Sequence, residues 1–267
     1  MNLPCTIEQL AQLAREAGAA TLRYWQQNPD VQHKADDSPV TAADLAAHDL
    51  LLAGLRKLTP GIPVISEEAA DIPLAERADW PRFWLLDPLD GTKEFIDGSD
   101  EYTVNIALIE NAQVRFGLVG VPARDTLYWG GHGLGAWRQR GQQKATPLHT
   151  RQPGAEISVV ASRRHSGPEQ QALLDTMAQK RTLELVSIGS SLKFCLLAEG
   201  AADFYPRLAP TCQWDTAAAQ AVLEGAGGQV LKLNGQRFDY PSRDSWLNPH
   251  FIACGWPDPA WLQLLRG

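Results

Sequence analysis

Trp84-Leu85-Leu86-Asp87-Pro88-Leu89-Asp90-Gly91-Thr92-Lys93-Glu94-Phe95 runs from an apolar stretch into two aspartates and a glycine. Its apolar start, with Phe83, reads as a strand. Pro88 disfavours the helical region for Asp87, and Asp90-Gly91 is a strong turn signal, so a tight bend brings the two carboxylates toward one point. Two converging carboxylates without a cationic partner call for a metal. All-oxygen ligation favours Mg²⁺ over zinc or copper, with the Leu89 carbonyl between the two side chains as a further ligand. From spacing alone an ordinary surface turn is the favoured reading.

Further acids lie outward from this stretch. Ile65-Ser66-Glu67-Glu68 ends a strand-like run with two carboxylates, Trp214-Asp215-Thr216-Ala217-Ala218 starts a helix with one, and Thr41-Ala42-Ala43-Asp44 has capping-box spacing. Each also has a bland account: solvated loop acids, a plain N-cap and a completed capping box.

The organisation around these acids predicts an α/β protein. Thr6-Ile7-Glu8-Gln9 is a capping box, and Ile7, Leu10, Ala14, Ala17, Thr21 and Trp25 recur at helical intervals up to Asn28-Pro29-Asp30. A polar loop, Lys34 to Pro39, leads to a second helix with Leu45, His48, Leu52 and Leu55 on one face up to Leu58. Short β-rich runs follow at Ile62 to Ile65, Phe83 to Leu86, Val104 to Ile109, Val114 to Val121, Thr126 to Trp129 and Ala136 to Arg138, predicting an antiparallel meander. Ala145 to Glu156 reads as a crossing between halves, after which strand and helix patterns alternate. The expected division is an α+β half over 1–150 and an α/β half over 151–267.

Composition excludes several functions. The 267 residues carry 24 Lys+Arg against 31 Asp+Glu, a formal net charge of −7, and 44% hydrophobic residues. That balance disfavours a nucleic-acid polymer, whose phosphates need a basic surface. No uncharged apolar stretch is long enough to span a bilayer, and the N-terminus lacks a basic flank and apolar signal core, so a cytoplasmic location is expected. Cys5, Cys195, Cys212 and Cys254 show no ligand spacing and read as free thiols. The six histidines form no zinc motif, His48 reads as a hydrogen-bonded core residue, and Gly130 to Gly135 reads as a hairpin. From Asp87 to Glu101 there are six acids and one base, so five of the seven net negative charges fall in one segment. A small anionic substrate would need cations there before it could bind.

Together these segments resemble the inositol monophosphatase superfamily: Trp84 to Phe95 is similar to its first signature, and Trp214 to Ala218 with Ala226-Gly227-Gly228 to its second. Within it, Lys93-Glu94-Phe95 and Glu101 to Leu108 resemble the CysQ-type 3′(2′),5′-bisphosphate nucleotidases. So do Ser38 to Asp44, Ile188 to Cys195, Tyr205-Pro206-Arg207 and Leu247-Asn248-Pro249. The resemblance implies a layered αβαβα sandwich with its site between the halves. It implies one Mg²⁺ held by Glu67, Asp87 and the Leu89 carbonyl and a second by Asp87, Asp90 and Asp215, a pair that would clamp an in-line displacement on phosphorus. Asp44 and Thr92 would orient the attacking water, Glu67 would share in catalysis, and Gly91 and Thr92 would offer N–H groups to the phosphate. The implied nucleotide contacts are Ser162, Gly189, Ser190, Lys193 and Arg207, although Lys193 and Arg207 read equally well as solvated charges.

The implied reaction removes the 3′-phosphate of adenosine 3′,5′-bisphosphate, with the phosphosulfate analogue as a further substrate, in sulfur assimilation and with lithium sensitivity. The rivals are another phosphomonoesterase of the superfamily, acting for instance on inositol monophosphate, and an inactive nucleotide-binding regulator. The basic run Arg138, Arg140, Lys144 and Arg151 reads as a solvated hairpin face. The resemblance leaves weak peripheral contact with the cytoplasmic face of the inner membrane open, and oligomeric state is not legible.

Overall fold

Two helices open the chain, each begun by the capping box its sequence spells. The computed structural model describes residues 3–27, 31–33, 39–161 and 167–257; of the expected loop from Lys34 to Pro39, residues 34–38 lie outside them, as does Ser162, while Pro39 opens a strand. Helix α1 spans Ile7–Leu22, where Thr6 Oγ1 accepts from Gln9 N at 3.2 Å and Gln9 Oε1 accepts from Thr6 N at 2.9 Å. Those bonds satisfy N–H groups that a helix start otherwise leaves orphaned. Trp25 lies beyond the helix, its ring centroid 6.4 Å from that of Tyr102. A two-stranded antiparallel pair, β1 (Val31–His33) and β2 (Pro39–Thr41), precedes α2 (Ala42–Leu58).

The buried face of α2 is not the expected one. Ala43, Asp44, Ala47, Leu51 and Leu55 are buried, while Leu45 is exposed. The buried face is turned away from Leu45 and keeps only Leu55 of the expected set, while the two helices approach closely at Gly54, where a Cβ would come within 2.4 Å of Leu13 Cδ1.

A seven-stranded sheet follows: β3 (Val64–Ser66), β4 (Arg82–Asp90), β5 (Thr103–Glu110), β6 (Gln113–Val121), β7 (Thr126–Gly131), β8 (Gly135–Arg140) and β9 (Thr146–Leu148), in that spatial order. From β4 to β9 the pairing is the expected antiparallel meander, and Gly131↔Gly135 closes the expected hairpin. By contrast, β3 runs parallel to β4, because the chain between them crosses back through a 3-10 turn at Glu67–Ala69 and α3 (Leu74–Arg77). The expected crossing at 145–156 contributes β9 before it leaves the sheet. A short helix, α4 (Thr92–Ile96), follows β4.

Strand period divides this sheet cleanly. Trp84, Leu86, Ile106, Leu108 and Leu118 face α1 and α2, while Phe83, Leu85, Ala107, Ile109 and Val119 face the other way. That second face packs on α7 (Gln213–Gly225), where a Cβ at Gly117 would lie 2.0 Å from the Ala218 carbonyl oxygen. The remaining elements are β10 (Glu156–Ala161), α5 (Pro168–Ala178), β11 (Thr182–Ser187), α6 (Leu192–Ala198), β12 (Phe204–Arg207), β13 (Gln229–Lys232) and β14 (Phe251–Cys254). Their strands form a five-stranded sheet in the order β11-β10-β12-β14-β13. One face shares a core with α6 and α7, and the other packs Ile157, Val159, Phe204 and Ile252 against Leu173, Leu174 and Met177 of α5. The layers are therefore αβαβα. No helix among the described residues is long and apolar enough to cross a membrane.

Candidate metal centre and the cleft beside it

Asp87 and Asp90 lie three positions apart in one strand, so a regular pleat would point them to opposite faces. A β-bulge corrects this: Asp87 pairs with Asn105 and Asp90 with Thr103, setting one more residue on β4 than on β5. The extra residue restores both carboxylates to the face covered by α7. Leu89 N donates to Asp87 Oδ1 at 3.0 Å, which helps hold the bend. Gly91 then takes φ +91°, a left-handed conformation suited to glycine, and starts α4 at Thr92.

Two other elements bring acids to the same point. Glu67 follows the end of β3, which the parallel pairing sets beside β4. Asp215 lies in the first turn of α7, where its Oδ2 accepts from Cys212 N at 2.9 Å. The capping account of Asp215 thus holds for one carboxylate oxygen. Glu67, Asp87 and Asp215 each place a carboxylate oxygen so that the three lie within 4.8 Å of one another.

Electrostatics shows what this arrangement lacks. Burial, then the negative charges of Glu67 and Asp90, push the Asp87 carboxyl well above its ordinary range. Burial, then Asp90 and Glu67, do the same to Asp215. Charged carboxylates crowded in a buried place need compensating cations. An all-oxygen donor set of this kind fits Mg²⁺.

Asp44 stands beside this cluster, 2% exposed. Its Oδ2 accepts from Thr41 N at 2.8 Å and from Thr41 Oγ1 at 2.6 Å, so it also completes the capping box. Burial raises its carboxyl to about 6, with the Thr41 hydrogen bonds pulling the other way. Thr92 Oγ1 lies 3.4 Å from both Asp44 Oδ1 and the Leu89 carbonyl oxygen, a placement in which its single hydrogen serves one of them at a time.

The acids line a cleft of about 280 Å³ together with Gly189, Ser190, Lys193, Phe194, Tyr205 and Arg207. Lys193 and Arg207 are only 6% and 7% exposed, so they are not solvated charges. Lys193 Nζ donates to the Ser190 carbonyl at 2.9 Å, and burial lowers its ammonium to about 8. Arg207 is anchored by the carbonyls of Ala209 at 3.1 Å and Pro210 at 2.7 Å. Gly189 N already donates to Glu101 Oε2 at 2.8 Å. Gly189 therefore shapes the cleft: a Cβ there would meet Glu94 Cγ at 2.7 Å.

Sequence reasoning missed Thr103, Asn105 and Ser191 as partners of the acids. Ser191 Oγ lies 2.7 Å from Asp90 Oδ2, accepts from Asn105 Nδ2 at 2.9 Å, and Thr103 Oγ1 donates to Asp90 Oδ2 at 3.4 Å. The available signal was Thr103 and Asn105, two polar residues at alternating positions in an otherwise apolar strand.

The basic run is not simply a solvated face. Arg138 pairs with Glu199 at 2.9 Å, and Arg151 with fully buried Asp203 at 2.7 Å, both acids from the C-terminal segments. His48 is hydrogen-bonded as expected, its Nδ1 2.8 Å from Ser66 Oγ, but it is half-buried rather than a core residue. All four cysteines are free, with Cys195 and Cys254 buried and Cys5 and Cys212 half-buried.

Comparison with known proteins agrees with this architecture. The profile described as the inositol monophosphatase family matches residues 2–254. The 3′(2′),5′-bisphosphate nucleotidases CysQ of Salmonella typhimurium and Escherichia coli K12 are each 47% identical over 249 residues, covering 92% of this chain and 98% of theirs. The crystal structure of CysQ from Bacteroides thetaiotaomicron, described as a bacterial member of the inositol monophosphatase family, superposes with a TM-score of 0.81 at 37% identity, covering 92% of this chain and 95% of that one. With a matching fold and signature acids gathered at one cleft, the chain belongs to the inositol monophosphatase family, in its CysQ-type branch.

Proposed function

We propose that the protein is a Mg²⁺-dependent 3′(2′),5′-bisphosphate nucleotidase that removes the 3′-phosphate of adenosine 3′,5′-bisphosphate to leave AMP. The phosphosulfate analogue is a second substrate, the setting is cytoplasmic sulfur assimilation, and no nucleic-acid polymer takes part. One observation carries the reading: Glu67, Asp87 and Asp215 converge within 4.8 Å in a cleft that buried Lys193 and Arg207 also line. Acids that require cations share the cleft with two basic side chains able to meet a second phosphate. The relatives' printed activity, 3′(2′),5′-bisphosphate nucleotidase, supports the same choice of substrate.

Glu67, Asp87 and the Leu89 carbonyl would hold one Mg²⁺, and Asp87, Asp90 and Asp215 a second. Bound Mg²⁺ supplies neutralisation of the phosphate charge and a lowered pKa for the attacking water. Thr92 Oγ1 orients that water and Asp44 Oδ1 takes up the proton that Thr92 relays, a role open to Asp44 as a carboxylate at neutral pH. Gly91 and Thr92 direct N–H groups to the phosphate. Ser190, Lys193 and Arg207, with Ser162 and the surface shaped by Gly189, receive the nucleotide and its 5′-phosphate. In this reading the 1–150 half supplies most metal ligands and the 151–267 half supplies Asp215 and the nucleotide contacts.

The test is phosphate release from adenosine 3′,5′-bisphosphate with and without Mg²⁺, beside inositol 1-phosphate, and with Li⁺ added. Expected are Mg²⁺-dependent turnover, preference for the nucleotide, inhibition by Li⁺, and near-complete loss in Asp90→Asn and Asp215→Asn with the fold intact. Nucleotide binding without turnover points to the inactive regulator, and preference for inositol 1-phosphate overturns the substrate.

A further inference from the structure

A buried hydroxyl joins the two elements that carry Asp90 and Asp215. Ser191, 1% exposed and just before α6, places Oγ 2.7 Å from Asp90 Oδ2 on β4 and 2.7 Å from the backbone carbonyl of Asp215 on α7. Both neighbours present an oxygen to the hydroxyl, which has one hydrogen to divide between them. Asn105 Nδ2, 2.9 Å away, donates to the hydroxyl oxygen. Turning the amide over would leave Ser191 facing three acceptors with one hydrogen, so the network sets the amide's orientation.

Asn105 lies opposite Asp87 across the β4–β5 ladder and is 1% exposed, with its Oδ1 buried and without a hydrogen-bond partner among the described residues. An orphaned buried acceptor carries a desolvation cost that an apolar residue at this strand position would not incur. The arrangement is consistent with a role for the Nδ2 side of this amide.

We propose that Ser191 is a positioning residue, oriented by Asn105, which ties Asp90 to the first turn of α7 and holds the carboxylates of the two elements at one spacing for cations. The proposal rests on the metal reading above. Without the tie, mutual repulsion turns Asp90 away from Asp87 and Asp215, and cation binding must reverse that movement. Groups behind metal ligands typically contribute about 10–100-fold in metal affinity when removed.

The experiment is calorimetric titration of the metal-free protein with Mn²⁺, alongside the thermal midpoint of the metal-free protein. Ser191→Ala and Asn105→Ala are each expected to weaken Mn²⁺ about 10-fold or more. Because the two act in series, the double variant should bind no more weakly than Ser191→Ala alone. Asn105→Ser replaces Asn105→Ala if the latter does not fold. Single variants that bind within about twofold of wild type, whatever their thermal midpoints, overturn the proposal, as do fully additive losses. A wild-type protein that binds no Mn²⁺ instead overturns the metal reading itself, so the two failures are distinguishable.

Discussion

Lys193 shows how burial turns a common surface residue into a pH-sensitive one. Its ammonium, desolvated in the cleft wall and near Arg207, is lowered to about 8, although the acids Asp90, Glu94 and Glu101 draw it back up. As pH rises through that value Lys193 loses its charge, and with it the attraction for a second phosphate. The kcat/KM of adenosine 3′,5′-bisphosphate should therefore fall above about pH 8, since kcat/KM reports the free enzyme. Adenosine 3′-monophosphate, which lacks the second phosphate, should lack that limb, and Lys193→Arg should move it out of range because guanidinium stays charged. Lys193→Ala should raise KM about 10–100-fold, the equivalent of one charged hydrogen bond. Identical pH profiles for the two substrates would contradict this account.

Among elements, α7 decides where Asp215 sits, and its seat is a single glycine on β6, Gly117. The Ala218 carbonyl occupies the place a side chain at Gly117 would need, with only 2.0 Å to a built Cβ. Because the obstacle is backbone, it cannot swing aside as a flexible side chain would. Gly117→Ala should force α7 off the sheet and cost about 1–3 kcal/mol or more of stability, the usual range for overpacking. Urea unfolding measures that cost, and Mn²⁺ titration should show weaker binding because Asp215 moves with the helix. Unchanged stability would mean that the α7–β6 contact is looser than the structure shows. The bulge in β4 works at the same scale: it converts a spacing that would separate Asp87 and Asp90 into one that gathers them.

For the whole molecule, the buried acids make stability depend on pH and metal together. Burial first, and neighbouring charges next, raise Asp87 and Asp215 well above the carboxylate range, and burial raises Asp44 to about 6. Unfolded aspartates titrate near ~3.9. Between the unfolded and folded values the folded state holds more protons, so its stability falls as pH rises. The metal-free protein should thus melt several degrees higher at about pH 5.5 than at about pH 7.5. Mg²⁺ should raise the midpoint more at the higher pH, where the carboxylates are charged and able to bind it. Differential scanning calorimetry at both values, with and without Mg²⁺, checks this. A metal-free midpoint that does not change over this interval would show that the acids are not the dominant titrating load.

The sequence alone determined what is local or periodic. Both capping boxes, the meander from β4 onward and the later alternation of strand and helix follow from residue order, because caps and strand period act over a few positions. Asp87, Asp90, Glu67 and Asp215 could be named because turn chemistry and helix starts leave marks in the chain, and the signature resemblance joined them. Only the tertiary structure decided which face of α2 is buried, that β3 runs parallel to β4, that Lys193 and Arg207 are interior, and that Arg138 and Arg151 pair with Glu199 and Asp203. It alone revealed Ser191 and Asn105 at the junction of β4 and α7. Each of these depends on contacts between residues far apart in the chain, where close packing sets which surfaces meet and burial sets the energy of every charge.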